Sequence, residues 1–151
     1  MQLVSFHTAD KALTIRRKTA IKAFIAEIFD LENKALKKLD YVFCTDDYLL
    51  EINKSFLQHD FYTDIITFPL SDKQEPITAE IYVSLDRVKD NALQHNSTIL
   101  NETLRVLFHG ALHLCGYGDK SNKEIRNMRS KEDYYIRLFH VERKGIKMNH
   151  F

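Results

Sequence analysis

The chain has 151 residues, of which 44% are hydrophobic, and only four glycines and two prolines. A chain of this length and composition buries one substantial core, so we expect a single domain over residues 1–151. Its 22 lysines and arginines nearly balance its 21 aspartates and glutamates, so overall charge excludes any general argument for a polyanionic partner. Such a partner would have to be recognised by local patches.

Hydrophobic patterning predicts strands and helices that alternate along the chain. We expect strands at 3–6, 39–44, 63–68 and 79–83, and helices at 14–29, 46–56, 85–95, 104–115 and 122–141. The predicted helix caps are Thr14, Asp46 or Asp47, and Ser84. Elements interleaved in this way predict an α+β fold, with a mixed sheet of about four strands packed against about four to five helices.

The apolar runs and the cysteines of the sequence both indicate where the protein is located. The sequence has no run of about 18 apolar residues, and its first residues lack a positive flank before an apolar stretch. Cys44 and Cys115 lie among apolar residues, which indicates buried thiols in a reducing compartment. We therefore expect a soluble, cytoplasmic protein with no membrane contact.

The segment from His109 to Asp119 carries the predicted chemistry. His109 and His113 are four residues apart, so in a helix both imidazoles lie on one face, within reach of one ion. Gly116 can adopt the left-handed conformation that ends a helix and turns the chain back, which presents Asp119 to the histidines. Three nitrogen and oxygen ligands with a fourth position left for water are typical of catalytic zinc. We predict one Zn²⁺ per chain, held by these three side chains.

The residue after the first histidine argues against a peptidase. The spacing matches the H-x-x-x-H-x-x-G-x-x-H zinc hydrolases, with aspartate in the third place. In H-E-x-x-H peptidases the residue after the first histidine is the glutamate that acts as general base, and here it is Gly110. A metallopeptidase or another small-molecule zinc hydrolase is therefore a disfavoured alternative.

Three segments, in matching order and spacing, resemble the YbeY family of endoribonucleases, which are bacterial rRNA maturation factors. The segment FHGALHLCGY at 108–117, preceded by Asn101, Glu102 and Arg105, resembles that family's metal motif. The segments TDIITFP at 63–69 and AEIYVS at 79–84 resemble its P-T-D-V-L-S-F-P and G-D-I-x-I-S patterns. The resemblance implies an α+β fold and one zinc. It also implies ribosomal RNA and the small ribosomal subunit as partners, with a role in 16S rRNA 3′-end maturation and ribosome quality control.

The chain departs from the family pattern at two positions. The third ligand is Asp119 where the family usually has histidine, and its extra negative charge should make a bound water less acidic. The family's Y-R-G-K-D run aligns with residues 56–60, so Leu57 stands in the place of an arginine. A leucine cannot donate to a phosphate oxygen. Either His59, Lys120 or another cation compensates, or the nuclease step is weak or absent.

Other candidate binding residues have a structural explanation as well as a functional one. Thr63 and Asp64 are candidate substrate-binding residues, but a Thr-Asp pair before a strand is equally typical of a turn. Cations after the metal turn could follow a phosphate backbone, although the acidic residues between them also fit a solvated helix face. These cations are Lys120, Lys123, Arg126, Arg129, Arg137, Arg143, Lys144 and Lys147.

The sequence thus favours a zinc-dependent endoribonuclease that selects single strands, because splayed bases are the ordinary route by which proteins reach RNA. Either an activated water attacks the phosphodiester, or the ion polarises a phosphoryl oxygen while the ribose 2′-hydroxyl attacks. One alternative is a non-catalytic ribosome-associated factor with a structural metal. Another is a zinc hydrolase of a different substrate, and the sequence sets no oligomeric state.

Overall fold

Three parallel strands and one antiparallel edge strand form the sheet of the computed structural model, which describes residues 2–143. In the order β1-β2-β4-β3, the strands are β1 (Val4–Thr8), β2 (Leu36–Cys44), β4 (Ile77–Ser84) and β3 (Ile65–Pro69). The helices are α1 (Lys18–Leu31), α2 (Asp46–Leu57), α3 (Leu85–Gln94), α4 (Ile99–Leu114) and α5 (Asn122–Arg143). The predicted α+β fold with a mixed sheet of four strands is confirmed.

Alternate side chains of the two central strands build the core, as the period of a strand requires. One face of the sheet is covered by α1 and α4, with α5 packed on these two helices. The strand residues on this face are fully buried: Leu39, Tyr41, Phe43, Ala79, Ile81 and Val83. The Tyr41 hydroxyl donates to the Leu107 carbonyl at 2.6 Å and so ties β2 to α4. Helix α2 packs on the opposite face, where Cys44, Leu49 and Ile66 form a small second cluster.

Helix α4 is the most deeply packed helix of the domain, and its buried positions include Leu104, Leu107 and Leu112. It begins at Ile99, a turn earlier than the predicted start at residue 104. The Thr98 hydroxyl accepts a hydrogen bond from the backbone amide of Asn101 at 3.0 Å and caps the helix there. The prediction that this helix is largely buried against the sheet is confirmed.

Two predicted helix caps are wrong. Helix α1 begins at Lys18, after Arg17 in the left-handed conformation (φ 63°), so Thr14 lies outside the helix and does not cap it. Helix α2 is capped by the Thr45 hydroxyl, which accepts from a backbone amide at 3.2 Å. Asp46 is instead the first helical residue, and its carboxylate pairs with Arg87 of α3 at 3.0 Å.

The remaining boundaries differ less from expectation. Ser84 caps α3 as predicted, because its hydroxyl accepts from the backbone amide of Arg87 at 3.3 Å. Strand β3 begins at Ile65, two residues after the predicted start, so Thr63 and Asp64 lie in the loop before it. Cys44 and Cys115 are both free and buried. No helix within residues 2–143 is long and apolar enough to cross a membrane.

Candidate metal centre

Helix α4 presents His109 and His113 on one face, one turn apart. Their ring centroids are 4.5 Å apart, and the planes are nearly perpendicular at 87°. The helix ends at Leu114, and Gly116 then adopts φ +108°, a conformation that side chains with a Cβ rarely adopt. The chain turns back at this glycine, as the sequence predicts.

The turn brings Asp119 to the two imidazoles. Its Oδ2 lies 3.3 Å from His109 Nε2 and 3.1 Å from His113 Nε2. One ligand atom from each of the three residues therefore falls within 4.8 Å of the others. This spacing allows all three to bind the same cation, once the protons between them are displaced.

The loop that carries Asp119 is fixed at its far end by a capping box. The Ser121 hydroxyl accepts from the Glu124 amide at 3.1 Å, and the Glu124 carboxylate accepts from the Ser121 amide at 3.0 Å and the Lys120 amide at 3.3 Å. This arrangement starts α5 directly after the loop. The S-x-x-E pattern of this capping box is visible in the sequence at 121–124.

Both histidines are oriented through the nitrogen that faces away from Asp119. His109 Nδ1 lies 2.7 Å from a Glu132 carboxylate oxygen, and His113 Nδ1 lies 2.9 Å from the Tyr117 carbonyl. Acceptors at Nδ1 place the proton there and leave each Nε2 lone pair for a metal. The donor set therefore fits a zinc ion. Glu132 was not predicted, because it belongs to another helix and is 23 residues from His109.

The electrostatics of the site favour a cation. Burial by itself lowers the pKa of His109, but the hydrogen bond and charge of Glu132 and the charges of Asp64 and Asp119 raise it above its ordinary value. An environment that stabilises a protonated imidazole also stabilises a metal ion. Arg105 balances part of this negative charge, because its guanidinium donates to Glu132 at 2.9 Å and to Asp133 at 2.8 Å.

Two adjoining cavities meet at the metal ligands and form one groove. The first, of about 470 Å³, has the aromatic and apolar side chains of Leu57, His59 and Phe61 on its wall, together with Thr63. The second, of about 280 Å³, is lined on the other side by the arginines Arg105 and Arg129 and by the carboxylates of Asp64, Glu102, Asp119 and Glu132. The residues common to both cavities are Asp64, Ile65, His109 and Asp119. We call the first cavity the aromatic arm and the second, after its two arginines, the cationic arm.

The structure brings most of the predicted site residues to this groove. Thr63, Asp64 and His59 line the aromatic arm beside the metal ligands, and Leu57 lies there too, in the place of the family's arginine. Burial raises the pKa of the Asp64 carboxyl, although the charge of His109 opposes that shift. Lys120 is exposed and lines neither arm.

One of the cations predicted to follow a phosphate backbone does reach the groove. Arg129 of α5 is exposed and lines the cationic arm. Lys123, Arg126 and Arg137 line neither arm. Lys144 and Lys147 lie outside the described residues.

Gly110 faces the sheet and not the metal ligands. A Cβ built on it would lie 2.8 Å from Ile81 Cδ1 and 2.9 Å from Ile65 Cδ1, so the helix backbone sits directly on strands β3 and β4 here. A glutamate at this position would meet the core and not the metal ligands. The missing peptidase base is therefore a consequence of close packing between helix and sheet.

The fold and the three converging side chains define a class, that of small α+β domains with one candidate metal site in an open groove. The family model described as Endoribonuclease YbeY matches residues 5–140. The chain therefore belongs to the endoribonuclease YbeY family, whose members are hydrolases that act on RNA.

Individual relatives agree along most of their length. A protein of Cytophaga hutchinsonii named endoribonuclease YbeY is 44% identical over 137 residues, which cover 91% of this chain and 96% of that protein. A Flavobacterium psychrophilum protein of the same name is 44% identical and covers 85% and 91% of the two chains. The solution structure of a Thermotoga maritima protein shares the fold, with a TM-score of 0.62, 25% identity and coverage of 94% and 92%.

Proposed function

We propose that this chain is a zinc-dependent endoribonuclease that cleaves single-stranded segments of ribosomal RNA. Its role is in 3′-end maturation of 16S rRNA and in ribosome quality control, with the small ribosomal subunit as its partner. A ribosomal substrate assigns this activity to the cytoplasm. The observation that carries the proposal is the convergence of His109, His113 and Asp119 in a groove whose two arms extend from the ligands.

The residues of the site have separate roles in binding and orienting the metal. A zinc ion bound there supplies the Lewis acidity that activates water and polarises a phosphoryl oxygen. His109 and His113 would hold it through Nε2 and Asp119 through a carboxylate oxygen, while Glu132 and the Tyr117 carbonyl keep both imidazoles in the tautomer that can bind it. Three protein ligands leave a further position for water or substrate, as a catalytic site requires.

Asp64 and Thr63 fit contact with ribose better than contact with phosphate. A carboxylate repels a phosphate, but it accepts a hydrogen bond from a 2′-hydroxyl, the group that distinguishes RNA from DNA. Asp64 lines both arms of the groove, so an RNA strand that runs from one arm to the other passes this carboxylate. This assignment predicts a preference for RNA over DNA as the substrate.

We assign to Arg129 the phosphate contact that the family's arginine would make and that Leu57, in its place, cannot. Leu57 lines the aromatic arm and has no donor, and the Arg105 guanidinium is already bound to Glu132 and Asp133. Arg129 is exposed and lines the cationic arm, within the same groove as the metal ligands. A guanidinium in this position can donate to a phosphate oxygen of the bound strand.

The test compares metal-dependent cleavage of a 16S rRNA precursor by the wild type, His109→Ala and His113→Ala. Each variant should lose cleavage and keep its fold, because α4 is held by its apolar face and not by the ion. Asp119→His should retain zinc binding. His7→Ala, at a histidine whose side chain is 54% exposed and paired with Asp40, is the matched control and should cleave normally.

Two outcomes would decide against catalysis by the metal. Cleavage by either alanine variant at the wild-type rate, or full cleavage in the presence of a chelator, would exclude the proposed mechanism. If the wild type binds small ribosomal subunits but cleaves no precursor, the accessory-factor alternative holds, with a structural metal.

A further inference from the structure

Two exposed rings stack on each other at the rim of the aromatic arm. The centroids of His59 and Phe61 are 5.0 Å apart, and the ring planes diverge by only 20°. Phe61 is 56% exposed and His59 is exposed as well. An exposed phenylalanine is unfavourable in water, so a surface pair of this kind is a candidate for contact with a flat ligand.

Hydrogen bonds to α2 hold the loop that carries the two rings. Asn53 of α2 is 1% exposed, and its carbonyl accepts from the His59 amide at 3.1 Å while its side-chain amide donates to the Phe61 carbonyl at 2.9 Å. Gln58 ends α2 in the left-handed conformation (φ 56°), which turns the chain toward the groove. One buried residue, through its backbone carbonyl and its side-chain amide, thus fixes the backbone of both ring residues.

The neighbouring aromatics are occupied elsewhere or lie outside the groove. The Tyr62 ring lies under the Arg87 guanidinium at 5.0 Å, and its hydroxyl donates to Asp47. Phe56 is 72% exposed and contacts Phe68 edge-on at 6.2 Å, but it does not line either arm. Only His59 and Phe61, among the aromatic residues of this loop, share the cavity with the metal ligands.

We propose that the His59–Phe61 ring pair is a stacking platform for an unpaired nucleobase of the RNA strand, beside the phosphate that lies at the metal ligands. This inference rests on the proposed endoribonuclease function. It adds a physical basis for the selection of single-stranded RNA. A base inside a duplex is covered by its neighbours, whereas an unpaired base offers a free face to the rings. The platform is therefore a device for strand selection.

The composition of the aromatic arm favours a base over other ligands. Within residues 2–143, no lysine or arginine lines this arm, so away from the metal ligands it offers no permanently charged cation to a phosphate or a carboxylate. Its wall beyond the rings includes Leu57, Ile66 and Pro69, which are apolar. The cations lie in the other arm, and a strand that crosses the ligands would thus place a base on the rings and a phosphate near Arg129.

The chain has no tryptophan, so one substitution gives an optical reporter at the platform. In the presence of a chelator, which prevents cleavage, a short single-stranded RNA is titrated against Phe61→Trp and against Phe56→Trp as the control. The indole at position 61 should be quenched by the stacked base, and the indole at position 56 should not. Affinity of the Phe61→Trp protein should stay close to that of the wild type, because an aromatic ring is kept.

Removal of the ring should weaken binding without removing the reaction. Phe61→Ala should bind single-stranded RNA roughly 5- to 100-fold more weakly, the range expected for one base stacked on an aromatic side chain. The loss should appear in KM more than in kcat, because the rings do not touch the reacting atoms. Phe56→Ala should bind and cleave like the wild type, and circular dichroism of both variants checks the fold.

An abasic scan gives the sharpest criterion. Replacing successive nucleotides by abasic ones should reveal one position where the wild type loses affinity and Phe61→Ala loses nothing further. The platform is excluded if the wild type binds and cleaves RNA while Phe61→Ala binds equally well, or if both indoles are quenched alike. If the wild type neither binds nor cleaves single-stranded RNA, the proposed function itself fails and the platform with it.

Discussion

The carboxylate of Glu132 joins the metal ligands to the rest of the fold. It is 4% exposed, accepts from His109 Nδ1 at 2.7 Å and also accepts from Arg105 at 2.9 Å. A neutral amide at this position has one acceptor oxygen, so it cannot accept from both donors in the same geometry. The single side chain therefore sets the tautomer of His109 and the position of Arg105 together.

We predict that Glu132→Gln weakens zinc binding about 10-fold to 100-fold, the usual effect of removing a carboxylate that orients a ligand histidine. The measurement is a zinc titration against a competing chelator of known affinity. Asp133→Asn is the control, because Asp133 binds the same arginine but is exposed and does not contact His109. Equal zinc affinity in Glu132→Gln and the wild type would show that His109 is oriented by other means.

This residue also marks the limit of what the sequence reveals about the site. His109, His113 and Asp119 could be predicted because one helix and one turn fix their relation. Glu132 reaches them only through the packing of α5 on α4, and no local pattern in the sequence encodes that contact. The same applies to Arg129, whose place in the groove depends on the direction of α5.

At the level of elements, the close approach of α4 to the sheet decides what position 110 can hold. Gly110 is buried against Ile81 and Ile65, on the side of the helix that faces the sheet. We predict that Gly110→Glu destabilises the protein by about 3 kcal/mol or more, because it forces a charged side chain into an apolar contact. Urea unfolding measures the loss.

Gly110→Ala is the matched comparison for that variant. Its single methyl group displaces the ends of two isoleucine side chains, while alanine gains about 1 kcal/mol of helix propensity over glycine. The loss should therefore be much smaller than for Gly110→Glu. If the glutamate variant were as stable as the wild type, the side chain would have found the groove, and metal-dependent peptidase activity should then be assayed.

A second contact between elements involves Glu32, which follows α1 and is held by α5 and by the loop that carries Asp119. Its carboxylate accepts from the Tyr117 hydroxyl at 2.8 Å, from the Tyr135 hydroxyl and from Lys131 at 3.3 Å. Burial by itself raises the pKa of Glu32, but these hydrogen bonds and the lysine charge outweigh it and lower the pKa. The ionised form is thus the one that stabilises the fold.

We predict that Glu32→Gln loses about 1 to 3 kcal/mol of unfolding free energy at pH 7, because hydrogen bonds to a charged acceptor are replaced by weaker ones. A lowered pKa in the folded state means that this stability is present above the ordinary value of 4.5 and is lost as pH falls through the folded value. The difference between wild type and variant should shrink below about pH 4.5. A difference that stays constant down to pH 3 would contradict the assignment.

At the level of the whole molecule, the sequence predicted the elements better than their arrangement. The α+β class and the four strands follow from alternating patterns in single segments. The order β1-β2-β4-β3, with β3 antiparallel at the edge, depends on long-range pairing that no segment shows by itself. Yet this order places Thr63, Asp64 and the ring pair beside α4, and so it creates the aromatic arm.

The whole chain has a net charge of only +1, so RNA must be attracted locally, by the cations near the groove. For single strands, each phosphate contact contributes about −0.7 to the slope of log affinity against log salt concentration. We predict a shallow slope of about −1 to −2 for a short single-stranded RNA in chelator, which corresponds to two or three contacts.

Two variants separate the arms of the groove in this experiment. Arg129→Ala should reduce the slope by about 0.7, because it removes one phosphate contact, whereas Phe61→Ala should lower the affinity and leave the slope unchanged. Lys123→Ala is the control, since Lys123 is exposed on the same helix but lines neither arm. Fluorescence anisotropy at several salt concentrations gives all four slopes. An affinity that does not change with salt would mean that no phosphate is contacted, and would direct attention to a peptide or small-molecule substrate at the same metal ligands.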